Sequence, residues 1–359
     1  MKSIAILGAG NGGASMGAYL SLKGHKVKLY DKFVEVIEPI QAAGGLKLKG
    51  ISLNGFATFD KISTDIKEVI ENCEFIMVVT PAFAHKELAE LCAEHLEDGQ
   101  IIVLHPGRTG GALEFYNIVK KKNPAAKVSI AEAQTLIYAC RKTGPAEATI
   151  YGIKKKVFVS AIPSKETNKV IEKLNELFSE FVPAENVIET SLLNFGAVFH
   201  PAPSLLNIAR IEFKEDFEYY HQGISPCVGK VLEKIDMERI AVARAFGVKT
   251  LSTIEWLKEA YGIKNGDIYN VVQKIKVYSG IKAPKSPTAR YITEDVPMSL
   301  TPISELGKLA GVATPVIDII IRMASIMHNT DYRKKGRTLK RMGIDKFNKD
   351  TVLEYVNGG

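Results

Sequence analysis

Near its start the chain runs from a short apolar stretch, Ser3–Leu7 (SIAIL), straight into GAGNGGASMGAYLSLKGH, where apolar residues recur at helical spacing. Strand, glycine-rich turn and helix in immediate succession restrict the fold strongly, because they form the opening unit of a parallel sheet. Within the turn Gly8, Gly10 and Gly13 fit G-x-G-x-x-G, with Asn11 between them. Each glycine meets a separate demand: one lets the chain turn, one lets backbone approach a pyrophosphate, and one lets helix pack on strand. The N–H groups at the helix start then face the phosphates. A second strand, Lys26–Tyr30 (KVKLY), ends in Asp31, 18 residues after Gly13. A carboxylate there hydrogen-bonds ribose hydroxyls and repels a 2′-phosphate, which favours NAD while leaving NADP open. The alternative is a solvated residue closing a strand.

Two further buried-type strands, FIMVV (75–79) and IIVLH (101–105), end in Thr80-Pro81-Ala82 and in the loop His105 to Gly111, which contains Thr109 and Gly110. Ligands of open α/β sheets bind outside the carboxyl ends of the strands, so these tips are expected to border the cofactor. KVSIAEAQTLIYACR (127–141) continues the sheet and brings Glu132 and Gln134 near a strand end. ATIYGIKKKVFVSAIP (148–163) reads as two strands of an added hairpin, and a helix is expected from Ser164 to Phe181. From Ser191 onward strand-like alternation gives way to helical patterns such as 228–247 and 314–328.

The expected fold class is therefore α/β: an N-terminal Rossmann-type doubly wound sheet, residues 1–188, followed by an all-α domain, 189–359, with substrate held between them. A chain of 359 residues suits two domains, and 46% hydrophobic with 24% charged residues is an ordinary globular balance. No run of 18 apolar residues and no signal-peptide pattern occurs, so the expected setting is cytoplasmic and no membrane partner is expected. Cys73, Cys92, Cys140 and Cys227 form no zinc-like spacing, and neither a metal nor a disulfide is expected. The net charge of +7 is spread along the chain except in DYRKKGRTLKR (331–341). That run reads as a solvated helix face or a basic tail, since no nucleic-acid-binding motif accompanies it.

In FGAVFHPAPSLLNIAR (195–210) His200 lies between apolar stretches and precedes Pro201 and Pro203. The prolines require an extended chain or a new helix, SLLNIARIEF, and such a break can turn a ring into a cleft. These surroundings alone do not separate a core histidine from a catalytic one. A dehydrogenase needs a group that protonates the developing oxygen or nitrogen as hydride arrives, and histidine titrates in the right range when a carboxylate orients it. TARYITEDVPMSLTPISELG (288–307) offers both Glu294 and Asp295.

The stretch from 190 to 250, beginning TSLLNFGAVFHPAPSLLNIARIEF, resembles the helical domain of octopine/nopaline-type opine dehydrogenases. HPGRTGGALEF (105–115), AEAQTLIYACR (131–141), RYITEDVP (290–297) and DYRKKGRTL (331–339) resemble the same family. The resemblance implies reductive condensation of a 2-oxo acid with an amino acid: the two lose water to an imine, which NAD(P)H reduces. It places the family's acid/base histidine on His200 and its orienting aspartate on Asp295. Arg290 matches an arginine that holds the oxo-acid carboxylate. Glu132, Gln134, Cys140 and Tyr219 fall in segments near the substrate, although AEAQTLIYACR departs from the family wording after the glutamate. The expected partners are small molecules, and the family-like assembly is a homodimer.

Ketopantoate reductases and other hydroxy-acid or glycerol-3-phosphate dehydrogenases share the two-domain plan but rely on a lysine early in the helical domain, and SLLNFGAVFHP has none. An NAD-binding sensor without catalysis would have lost site residues, yet His200, Asp295 and Arg290 are all present.

Overall fold

The computed structural model describes residues 1–358, in two compact units. The first comprises Met1–Thr190 together with residues 354–358, and the second is Ser191–Leu353. The second boundary thus falls inside the last helix, Lys349–Asn357.

The first unit holds twelve strands: β1 Ser3–Leu7, β2 Lys26–Tyr30, β3 Leu46–Gly50, β4 Gly55–Ala57, β5 Lys61–Ser63, β6 Phe75–Val78, β7 Ile101–Leu104, β8 Ser129–Ala133, β9 Tyr138–Gly144, β10 Glu147–Ile153, β11 Val157–Ile162 and β12 Phe181–Pro183. Eight form one sheet in the order β12-β11-β8-β7-β6-β1-β2-β5, parallel except where β11 meets β8. The run β5-β2-β1-β6-β7-β8 is the doubly wound order, with the reversal between β1 and β6. Ile4 to Leu7 and Phe75 to Val78 are fully buried, as a sheet covered on both faces requires.

The other four strands form a second sheet, β4-β3-β10-β9. The expected hairpin over 148–163 is not formed, because β10 pairs with β9 and β3 while β11 joins the large sheet. The helix Asn11–Leu22 packs against β1 and β2 on one side and against β3, β4 and β9 of the small sheet on the other. Coverage on both sides explains its run of glycine, alanine and serine and its lack of a polar face. The helix expected over 164–181 is also shorter: it spans Thr167–Leu174, and Phe181 begins β12, where pairing with Val157 in β11 outweighs local helical propensity.

The second unit is helical apart from one bridge between Glu218 and Lys282. Its longest helix, Pro226–Ala245, starts at Ser225, whose hydroxyl accepts from the Val228 N–H at 3.3 Å, with proline in the first turn. Asp236 and Arg239 on this helix form a buried ion pair at 2.6 Å. Arg239 also donates to the carbonyls of Leu192 and Leu251, and Asp236 accepts from Thr253 N–H and Oγ, both at 2.7 Å. The pair therefore ties the entry of the unit and the loop after the helix to one point. The basic run at 331–341 is not simply solvated: Arg337 is fully buried and Arg333 pairs with Asp318. Among the described residues no helix is long and apolar enough to cross a membrane, and no cluster of metal-ligating side chains occurs.

Candidate active site and cofactor cradle

The cradle in the first unit is built at the reversal of strand order. Gly8 takes φ +104°, and its N–H donates to Tyr30 O at 2.8 Å. A Cβ on Gly8 would stand 2.6 Å from Thr80 Cγ2, and one on Gly13 would stand 1.7 Å from Gly8 O, so neither position admits a side chain. A Cβ on Gly10 would meet nothing within 4 Å. Packing within the protein therefore does not itself demand a glycine at position 10. Because Ala14 N–H is the first to bond back, to Gly10 O, the N–H groups of the preceding turn have no intrahelical acceptor. These are features of a pyrophosphate cradle.

Asp31 accepts from Ala9 N–H at 2.8 Å and from Phe33 N–H at 3.1 Å, so its carboxylate is fixed beside the turn. Asn11 is held from the small sheet, its Oδ1 accepting from Lys142 N–H at 2.8 Å and its carbonyl from Cys140 Sγ at 3.3 Å. Cys140 is therefore a neighbour of the glycine turn, and burial raises the pKa of its thiol. At the tip of β6, Thr80 is followed by Pro81, and the Thr80 hydroxyl is buried with no hydrogen-bond partner among the described residues. In the loop after β7, Thr109 is buried and Gly110 adopts φ +73° as it starts the helix Gly111–Lys122.

Glu132 is only 1% exposed and its carboxylate accepts from Ala112 N–H at 2.8 Å and from Thr190 Oγ at 2.7 Å. It thereby braces the N-terminus of that helix, where a carboxylate is favoured. A Cβ on Gly107 would lie 2.1 Å from this carboxylate, which accounts for the glycine there. Gln134 pairs through its backbone with Phe158 O at 2.9 Å at the end of β8.

In the second unit the prolines around His200 act as expected. One short helix, Gly196–Phe199, ends there and another, Pro201–Leu206, begins. The new helix stops at Asn207, so SLLNIARIEF is two short helices rather than one. Pro203 has no N–H to give to Phe199 O, and the Tyr219 hydroxyl reaches that carbonyl at 3.2 Å and His200 O at 2.7 Å instead. Ser204 Oγ adds a bond to His200 O at 2.7 Å. Tyr219 is 0% exposed, and burial raises its pKa well above the usual phenol range. What the structure gives Tyr219 is a packed position from which its hydroxyl holds the His200 backbone.

His200 Nδ1 and Asp295 Oδ2 are 2.8 Å apart, and the side chains are 20% and 1% exposed. The other Asp295 oxygen accepts from Ser299 Oγ at 3.1 Å, and Ser299 in turn accepts from Asn194 Nδ2 at 2.8 Å. Asp295 precedes a wide helical turn, Val296–Leu300 of π type, a distortion that recurs at functional sites. Of the two acids in TARYITED, Asp295 serves the histidine and Glu294 serves Arg290, whose Nε and Nη2 approach one Glu294 oxygen at 2.7 and 2.6 Å. Arg290 remains 58% exposed, anchored along one edge of its guanidinium. Tyr291 stacks on the His200 ring, centroids 4.3 Å apart and planes 11° from parallel. Tyr291, Ser299 and Asn194 carried no signal in the sequence, since they reach His200 and Asp295 through folding rather than through a motif.

A family model for the NAD/NADP octopine/nopaline dehydrogenase alpha-helical domain matches residues 183–328, and one for the N-terminus of NAD-dependent glycerol-3-phosphate dehydrogenase matches 3–128. An opine dehydrogenase from Arthrobacter sp. (strain 1C) is 40% identical over 343 residues, covering 96% of this chain and 95% of the relative. The chain belongs to the opine dehydrogenase family. An octopine dehydrogenase of Pecten maximus is 26% identical over 93% of this chain and 92% of its own length. Octopine dehydrogenase solved with NADH and L-arginine superposes with a TM-score of 0.84 at 23% identity, covering 100% of this chain and 98% of that one, which shows the shared fold. As an opine dehydrogenase the chain is an NAD(P)-dependent oxidoreductase acting on CH–NH bonds.

Proposed function

We propose that this opine dehydrogenase condenses a 2-oxo acid such as pyruvate with the amino group of an L-amino acid and reduces the resulting imine, and also runs the reverse oxidation. The observation that carries the reading is the His200–Asp295 pair at 2.8 Å, with Arg290 on the turn leading into Asp295. Asp295 accepts from Nδ1 of the ring, which leaves Nε2 as the edge that meets the reacting nitrogen. When bound, NADH supplies the hydride to the imine carbon. His200 delivers the proton that the nitrogen needs and takes it back in the oxidative direction, while Asp295 steadies the imidazolium. Arg290 uses two of its five N–H donors on Glu294 and keeps the rest for the oxo-acid carboxylate.

The cofactor reading rests on Gly8, Gly10, Asn11 and Gly13 for the pyrophosphate, Asp31 for the ribose, and Thr80, Pro81, Thr109 and Gly110 at the strand tips. The fixed Asp31 carboxylate supports NAD over NADP. Gln134 and Cys140 are proposed near the amino-acid substrate. Glu132 acts there through the loop it braces. The family resemblance supports a homodimer, and four unpaired cysteines support a reducing compartment such as the cytoplasm.

The test follows NADH oxidation with pyruvate, alone and with a panel of L-amino acids. Turnover that requires the amine, with a secondary amine dicarboxylate as product, supports the reading. Equal turnover without any amine indicates a hydroxy-acid dehydrogenase.

A further inference from the structure

The geometry points to Tyr291 as a positioning residue that fixes the plane of the His200 ring, and so the direction in which its proton is delivered. This rests on the reading of His200 as the acid–base group. One hydrogen bond from Nδ1 to Asp295 sets the tautomer but does not fix both side-chain torsions, so coupled changes in χ1 and χ2 can still tilt the ring. A flat ring 4.3 Å away and 11° from parallel opposes that tilt, because tipping the imidazole drives one of its edges into the tyrosine face. Two constraints together define where Nε2 points, and the hydrogen bond alone does not.

The two partners of His200 come from one stretch of chain. Tyr291 and Asp295 are four residues apart, as are Arg290 and Glu294, so the same helical turn presents one pair to His200 and sets the other beside it. Tyr291 is itself backed by Tyr219, ring centroids 4.9 Å apart, and Tyr219 holds the His200 carbonyl through its hydroxyl. Backbone, ring plane and Nδ1 of His200 are thus fixed by one connected set of side chains. The π face of Tyr291 also favours the positively charged ring that forms whenever His200 holds the proton.

The test replaces Tyr291 in the full-length enzyme by Phe, which keeps the flat face, and by Leu and Met, which fill space without one. NADH oxidation with pyruvate and the best amino acid from the panel gives kcat and KM, and urea unfolding identifies the variants that fold. The expected result is a kcat about 10-fold lower or more in whichever of Leu or Met folds, KM for pyruvate within about 2-fold, and most of the rate recovered in Phe. In a His200→Asn background the same replacement should lower the residual rate no further, since Tyr291 acts only through His200. Proton spectra report independently of turnover: the His200 ring resonances, identified by their loss in His200→Asn, should move downfield in Leu or Met and stay in Phe. An unchanged kcat, a loss confined to KM, an equal loss in Phe, additive effects with His200→Asn, or unmoved ring resonances would each overturn the proposal. A wild-type enzyme without amine-dependent turnover would defeat the functional reading instead, and the spectra would still decide the stacking.

Discussion

Asp295 receives the Nδ1 edge of His200 on one carboxylate oxygen at 2.8 Å while its other oxygen takes the Ser299 hydroxyl at 3.1 Å. With both oxygens engaged, the carboxylate cannot rotate away from the ring. Ser299 is in turn steadied by Asn194 at 2.8 Å, so a residue near the start of the helical unit supports the acid that serves its histidine. The orientation of His200 is therefore a property of the packed unit rather than of a single contact.

Replacing Asp295 by Asn keeps the size of the side chain and removes the charge that steadies the imidazolium. Its amide group can also favour the wrong ring tautomer. The expected outcome is a fall in kcat on the order of 10²-fold or more with NADH affinity retained, read by steady-state kinetics beside nucleotide fluorescence titration.

The glycines of the turn should respond differently from one another. Gly10→Ala meets nothing within 4 Å in the protein and is expected to leave the urea midpoint of the free enzyme unchanged while weakening NADH binding about 10-fold or more. Gly13→Ala puts a methyl 1.7 Å from Gly8 O and should lower stability itself by roughly 2 kcal/mol or more. Equal behaviour of the two variants would contradict the division of roles.

Asp31→Asn retains an acceptor for the Ala9 N–H, now 2.8 Å from Oδ2, but loses the charge that opposes a 2′-phosphate. The ratio of kcat/KM for NADPH over NADH should rise by about 10-fold. No change in the ratio would remove Asp31 from nucleotide choice.

His105, 1% exposed at the end of β7 with Nε2 3.3 Å from Met77 Sδ, is held neutral by burial, which lowers its pKa to about 3. In the unfolded chain histidine titrates near 6.5. Above that pH neither state binds the proton and stability is unaffected. As pH falls from 6.5 toward 3 only the unfolded chain takes it up, so unfolding becomes easier by up to about 1.4 kcal/mol per pH unit. Urea denaturation at pH 7.5 and pH 5 should show a larger loss in the wild type than in His105→Gln. Parallel losses would contradict the assignment.

The parts of this fold that announce themselves in sequence are those set by local pattern. The strands at Ser3–Leu7, Lys26–Tyr30 and Ile101–Leu104 stand where apolar runs meet turn residues, and the break at His200 follows from two prolines. What depends on distant partners is not legible. Nothing in ATIYGIKKKVFVSAIP says that its two strands separate into different sheets, and the helical pattern after Ser164 gives no sign that Phe181 will pair with Val157. At the site the same rule holds. His200 and the acids of RYITED are visible as residue types, but the pairing of Asp295 with His200 and of Glu294 with Arg290 is decided by which side of one turn faces the ring. That Tyr219 braces the His200 backbone is equally invisible in sequence, because it depends on Pro203 leaving a carbonyl that needs a donor.

The central claim is that His200 carries the proton in an amine-dependent reduction. Its most direct test is the kcat of His200→Ala for NADH oxidation with a 2-oxo acid and amino acid, measured beside its NADH affinity. A fall of about 10²-fold or more with NADH affinity nearly intact is the predicted result. An unchanged kcat would contradict the account.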